Sequence, residues 1–80
     1  MHNPTLKHFI LKQRAISLYR SAVRASAVIP DPVTRKETVA WIRAEFTRNR
    51  HLTDLALIEN SLNVIRREIK SILPTFANRS

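Results

Sequence analysis

The sequence contains no cysteine and no glycine, and only six acidic residues among its 80. Without cysteine there is no disulfide framework, no thiolate metal site and no cysteine nucleophile. Without glycine there is no glycine-rich phosphate loop of the P-loop or dinucleotide kind, and no Asn-Gly hairpin turn. No apolar run approaches the roughly 18 residues of a membrane-spanning helix. The stretch "HFILKQRA" breaks its apolar run too early for a secretory signal.

The shortage of acid is not matched by a shortage of base. Fourteen Lys and Arg give a net charge of +8 and a sequence pI near 11.4. Such a surface draws an anionic partner: nucleic acid, an acidic protein or anionic lipid. The first 24 residues carry Lys, Arg and Ser but no acid, which suits mitochondrial import. The same stretch reads as part of the fold, so a cleaved presequence is not expected. A chain of this length is one small domain, 1–80, burying only about 60% of its unfolded surface, and it leans on regular helix packing, a ligand or a partner.

Prolines divide the chain. Asn3-Pro4 is an N-cap followed by proline at the first helical position, and "VIPDP" stops that helix. Asp31-Pro32 repeats the start signal, and Thr53 or Asp54 opens a third segment that Pro74 closes. The spacing predicts helices over about 4–27, 32–49 and 54–73, with a loose tail at 74–80. Short linkers make antiparallel neighbours the simplest arrangement. The expectation is all-α, a three-helix up-down-up bundle with an apolar channel between its helices.

The third helix carries the cleanest stripe: Leu55, Ile58, Leu62, Ile65, Ile69 and Ile72. The second supplies Val39, Ile42 and Phe46. The first offers two apolar sides, Phe9–Ile16–Val23 and, about 120–160° away, Leu11–Ala15–Leu18–Ala22. Gln13 and Arg20 share the first of these stripes. Trp41 lies well off the second helix's stripe. A helix apolar on two sides has neighbours on both, so Leu11, Leu18 and Trp41 are expected to form a second surface for a further partner.

Lys36, Arg43 and Arg50, spaced by seven, make one basic row along the second helix, broadened by Arg35 and Arg48. The row is either a solvated face or a docking surface for an acidic partner. His2, His8 and His51 make no i, i+4 metal pair. Glu45 with Arg48 and Glu59 with Asn63 read as helix-surface neighbours. No catalytic residue and no metal ligand is expected, and the chain reads as a binding protein. A basic helical module for nucleic acid is the alternative, with Arg66, Arg67 and Lys70 as weak support. A membrane-surface amphipathic protein is another.

Leu18-Tyr19-Arg20 stands in a longer pattern. Upstream is "TLKHFILKQRAISLYR", then the break "IPDP", then "WIRAEFTRNR" with Arg43, Phe46 and Arg50 in order. Over about residues 5–73 the chain resembles the mitochondrial LYR-motif family. The resemblance implies a three-helix protein of the mitochondrial matrix that binds the mitochondrial acyl carrier protein. That partner is acidic and presents an acyl-4′-phosphopantetheine group, whose fatty chain enters the bundle. The chain would bring no cofactor of its own. The opening "TLKHF" and Trp41 with Glu45-Phe46 point to the branch associated with assembly of respiratory complex I; a mitoribosome-associated role is the alternative. Carried over by position, Tyr19 and Arg20 are the motif pair near the carrier interface, and Lys12, Arg43 and Arg50 are the basic contacts. Lys36 joins them from charge geometry. Phe46 is the aromatic beside the motif. With it, Phe9, Ile16, Val39, Ile42, Leu55, Ile58, Leu62 and Ile65 are expected to line the acyl channel. Several relatives carry glycine in the third helix where this chain has "NSLNV", a departure that narrows the room for a guest.

Overall fold

The computed structural model describes residues 6–73. The chain folds as three helices packed on one another, α1 (Leu6–Ala25), α2 (Pro32–Asn49) and α3 (Leu55–Ile72), with a 3₁₀ turn at Ser26–Val28 after α1. The expected bundle is present. The expected N-cap at Asn3-Pro4 and the tail 74–80 lie outside the described residues.

Each boundary has a local cause. The first helix was expected to run unbroken to about Ala27, but its last turn tightens at Ser26, whose Oγ donates to the Val23 carbonyl at 2.6 Å. Ile29, before Pro30, is extended (φ −69°, ψ 118°), because proline crowds the helical conformation of the residue preceding it. Asp31 caps α2: its Oδ2 accepts from the Thr34 N–H at 2.9 Å and the Thr34 hydroxyl at 2.6 Å, with Pro32 opening the helix. Arg35 Nε donates to the Ile29 carbonyl at 3.1 Å. Arg35 therefore pins the α1–α2 connection. At α3, Asp54 Oδ1 accepts from the Leu57 N–H at 3.1 Å.

The Asp31 cap makes a pH prediction. The Thr34 hydroxyl, then the Thr34 N–H, hold the Asp31 carboxyl below its ordinary value of 3.8. A carboxyl depressed in the folded state stabilises above its unfolded value, and that contribution is lost as pH falls through the folded one. The melting-temperature gap between the native chain and Asp31→Ala is therefore expected to be constant from neutral pH to about pH 5 and to shrink below about pH 4. An unchanged gap at about pH 2, measured by circular dichroism, contradicts this reading.

The core gathers Ala22 and Ala25 from α1, Ile42 from α2, and Ile65, Ile69 and Leu73 from α3 and its end. Ile42 and Ile69 are completely buried. The alanines, with buried Ser26, let the C-terminal half of α1 approach its neighbours closely. This end of the bundle is closed. The other end contains the N-terminal halves of α1 and α3 and the C-terminal end of α2; there Ala15, Ile16, Phe46, Leu55, Ile58 and Leu62 are only half-buried.

Helix α1 corrects the reading of its two apolar sides. The side turned inward is Leu11–Ala15–Leu18–Ala22–Ala25, with Leu11 only 2% exposed, whereas Phe9 is 57% exposed. Gln13 and Arg20, on the Phe9 side, are exposed too, so no charge is buried there. The second partner surface expected at Leu11, Leu18 and Trp41 loses Leu11 to the interior and keeps Leu18 and Trp41 only half-exposed. Leu11 is buried within the protein's own fold, and Leu18 and Trp41 pack against the core. Alternating leucine and alanine make a surface low enough to accept α2 and α3 together, which bulky Phe9 and Ile16 would hold apart. At the C-terminal end of α3, the capping Leu73 is buried and Ile72 is 45% exposed.

Glu45 also departs from expectation. It is 8% exposed on the inner side of α2, its carboxylate bonded to Arg48 and its backbone carbonyl accepting from Asn49 Nδ2 at 2.8 Å. Satisfying the carboxylate with a cation allows its burial. Arg48 is thereby engaged and contributes less free charge to the surface than its sequence position implies.

Candidate functional site

Where the bundle opens, the three helices and the α2–α3 connection enclose a cleft of about 530 Å³. Helix α1 lines it with His8, Leu11, Lys12, Ala15, Ile16 and Tyr19. Phe46, Thr47, Asn49 and Arg50 come from the end of α2, and Leu52 from the connection. Ile58, Ser61 and Leu62 complete the wall from α3. The interior is mostly hydrocarbon, and cations stand at its border.

Of the residues expected to line a channel, Ile16, Phe46, Ile58 and Leu62 do so. Phe9, Val39, Ile42, Leu55 and Ile65 are not among the lining residues. Phe9 faces solvent, while Ile42 and Ile65 belong to the closed core. A heptad-like stripe runs the length of a helix, but the helices part over only half of it, so one stripe supplies both core and cleft. Sequence reasoning missed Leu11, Ala15, Leu52 and Ser61 as lining residues. Leu11 and Ala15 belong to α1's other apolar side. Ser61 occupies the wall within "NSLNV".

The polar border is organised around Tyr19. Its ring meets the edge of Phe46 in a T-shaped contact with centroids 5.4 Å apart. Its hydroxyl accepts a hydrogen bond from Arg43 Nε at 3.3 Å. That bond holds the exposed Arg43 guanidinium above its already high ordinary value. The guanidinium has further donors beyond Nε, suited to phosphate or carboxylate. Lys12 and Arg50 stand at the cleft itself. Arg20 is exposed on α1 and is not a lining residue. Lys36 lies two helical turns from Arg43 on an exposed face, about 10.5 Å along the axis, and is not a lining residue.

His8 makes no metal pair but has a structural role. It is half-buried, and its Nε2 bonds the Thr53 carbonyl at 2.8 Å, tying α1 to the α2–α3 connection beside the cleft. Among the described residues no group of three metal-ligating side chains comes together, and no helix is long and apolar enough to cross a membrane.

The family model described as "Complex 1 protein (LYR family)" matches residues 13–71, which include Leu18-Tyr19-Arg20, Arg43, Phe46 and Arg50. The chain belongs to the LYR family. Similar relatives carry the name LYR motif-containing protein 2. The Salmo salar protein is 36% identical, with 86% of this chain and 80% of the relative aligned. The Rattus norvegicus protein is 34% identical over 91% of this chain and 83% of its own length. The Homo sapiens protein is 30% identical with the same coverage of each. No solved structure matches the chain. The motif that gives the LYR family its name thus falls, in this chain, on one residue packed against the core (Leu18), one that orders the border of the cleft (Tyr19), and one exposed cation (Arg20).

Proposed function

We propose that this LYR-family protein is a non-enzymatic adaptor of the mitochondrial matrix that binds acylated mitochondrial acyl carrier protein. The acyl chain lies in the cleft between Ala15, Ile16, Phe46, Ile58 and Leu62, and the carrier's acidic surface meets Lys12, Arg43 and Arg50. Arg20 and Lys36 extend the cationic contact outward. The pair then serves assembly or stability of a respiratory complex, complex I first.

One observation carries the reading: a mostly apolar cleft of about 530 Å³ whose border is cationic and contains the Tyr19–Arg43 bond. A hydrocarbon guest attached to an anionic donor is complementary to both features. Each methylene removed from water contributes about 0.8 kcal/mol, so a long chain adds several kcal/mol to a domain of marginal size. Carrier binding is then coupled to completion of the bundle.

The test is affinity purification of the full chain from mitochondria, followed by intact mass measurement of what accompanies it. The expected companion is a small acidic protein whose mass includes a phosphopantetheine group bearing a fatty acyl chain. A companion recovered equally well without the acyl chain, or no carrier at all, contradicts the proposal.

A further inference from the structure

The side of α1 turned away from the cleft carries a feature that carrier binding leaves unused. Leu6, Phe9 and Ile10 are 74%, 57% and 45% exposed. They fall within about 100° of one another around the helix, and none lines the cleft. Lys7 and Arg14 border the same face, and Arg24 continues along it toward the C-terminal end; all three are exposed. Across its 20 residues α1 has no acid.

We propose that α1 docks on an anionic lipid surface through its N-terminal half, inserting Leu6, Phe9 and Ile10 between headgroups that Lys7, Arg14 and Arg24 contact. Charge complementarity selects the occupant: every acidic or basic residue on α1 around the apolar trio is basic, so whatever covers it is both hydrocarbon-rich and anionic. The trio projects from a convex helix and does not line a groove. A lipid interface accepts such side chains without a matching shape, and long cationic side chains bend back to the phosphates while their stems stay in the apolar layer. A duplex phosphate backbone offers nothing for the trio to contact. Leu6 and Ile10 lie about 140–180° around α1 from Tyr19 and Ala15, and Phe9, though on the Ile16 stripe, is outside the cleft lining, so lipid docking and occupation of the cleft do not exclude each other.

Flotation of the full chain with vesicles tests this. The native chain is expected to float with vesicles of phosphatidylcholine plus phosphatidylglycerol and to remain behind with phosphatidylcholine alone. Leu6→Gln/Phe9→Gln/Ile10→Gln keeps the net charge and uses a good helix former at exposed positions, with circular dichroism to check the fold. Its bound fraction is expected to fall at least about tenfold, and that of Phe9→Gln alone severalfold, because such binding scales with buried apolar area. Equal flotation of native and substituted chains would assign the binding to net charge and overturn the proposal. So would no flotation of the native chain, or retention on an immobilised polyglutamate column that the triple variant loses without either floating. That last pattern would give the surface to an acidic protein.

Discussion

Ala15→Leu combined with Ser61→Leu is expected to move stability and binding in opposite directions. Both residues are half-buried in the cleft wall, and leucine is a strong helix former. The added side chains bury apolar surface that the free chain leaves partly wet, so the free chain should melt several degrees higher. For a domain of this size each 1 kcal/mol is worth about 4–8 °C. The same atoms occupy the volume the acyl chain needs. Loss of burial for even four methylenes is about 3 kcal/mol, or roughly a 100-fold weaker complex with the acylated carrier. Affinity for the apo carrier should hardly change. Calorimetric titration with both carrier forms separates the effects. Undiminished preference for the acylated form would mean that its chain goes elsewhere.

Charge reversal at the border is expected to have a comparable effect by a different route. Arg43 and Arg50 are exposed, so Arg43→Glu/Arg50→Glu should leave helicity intact. Each reversal replaces a charge-assisted contact worth about 1.5–3 kcal/mol by repulsion, so together they should weaken carrier binding by 100-fold or more. The remaining binding should lose much of its salt sensitivity, because screened surface pairs are its source. Retention of native affinity at moderate salt would identify the row as an ordinary solvated face. Tyr19→Phe is the milder companion: it keeps the edge contact with Phe46 and removes only the acceptor for Arg43 Nε.

Helix boundaries were legible in the sequence because short-range chemistry sets them. Asp31-Pro32, Asp54 and the Ile29-Pro30 junction act within a turn, and the structure uses each one. The inward side of α1 was not legible, because periodicity identifies apolar sides without ranking them. Bulk favours Phe9–Ile16–Val23 by hydrophobicity, yet close packing favours the low relief of Leu11–Ala15–Leu18–Ala22, and packing prevails where two neighbours must both fit. The candidate site was half legible for a related reason. Tyr19, Arg43, Phe46 and Arg50 come together across two helices, as their order in the motif pattern implies. Which stripe residues line the cleft and which close the core depends on where the helices part. That is set by the small residues Ala22, Ala25 and Ser26 at the far end. Glu45 was misread because a carboxylate beside an i+3 arginine has the same spacing whether the pair is solvated or tucked inward.

The most direct measurement is thermal melting of the full chain with a saturating excess of apo carrier and, separately, of carrier bearing a long acyl chain. A ligand held at 100 times its dissociation constant stabilises the folded state by about 2.7 kcal/mol, which in a domain of this size is a rise of roughly 10 °C or more. The account predicts a rise of that order with the acylated carrier and a much smaller one with the apo form. Identical melting temperatures with the two forms would contradict it.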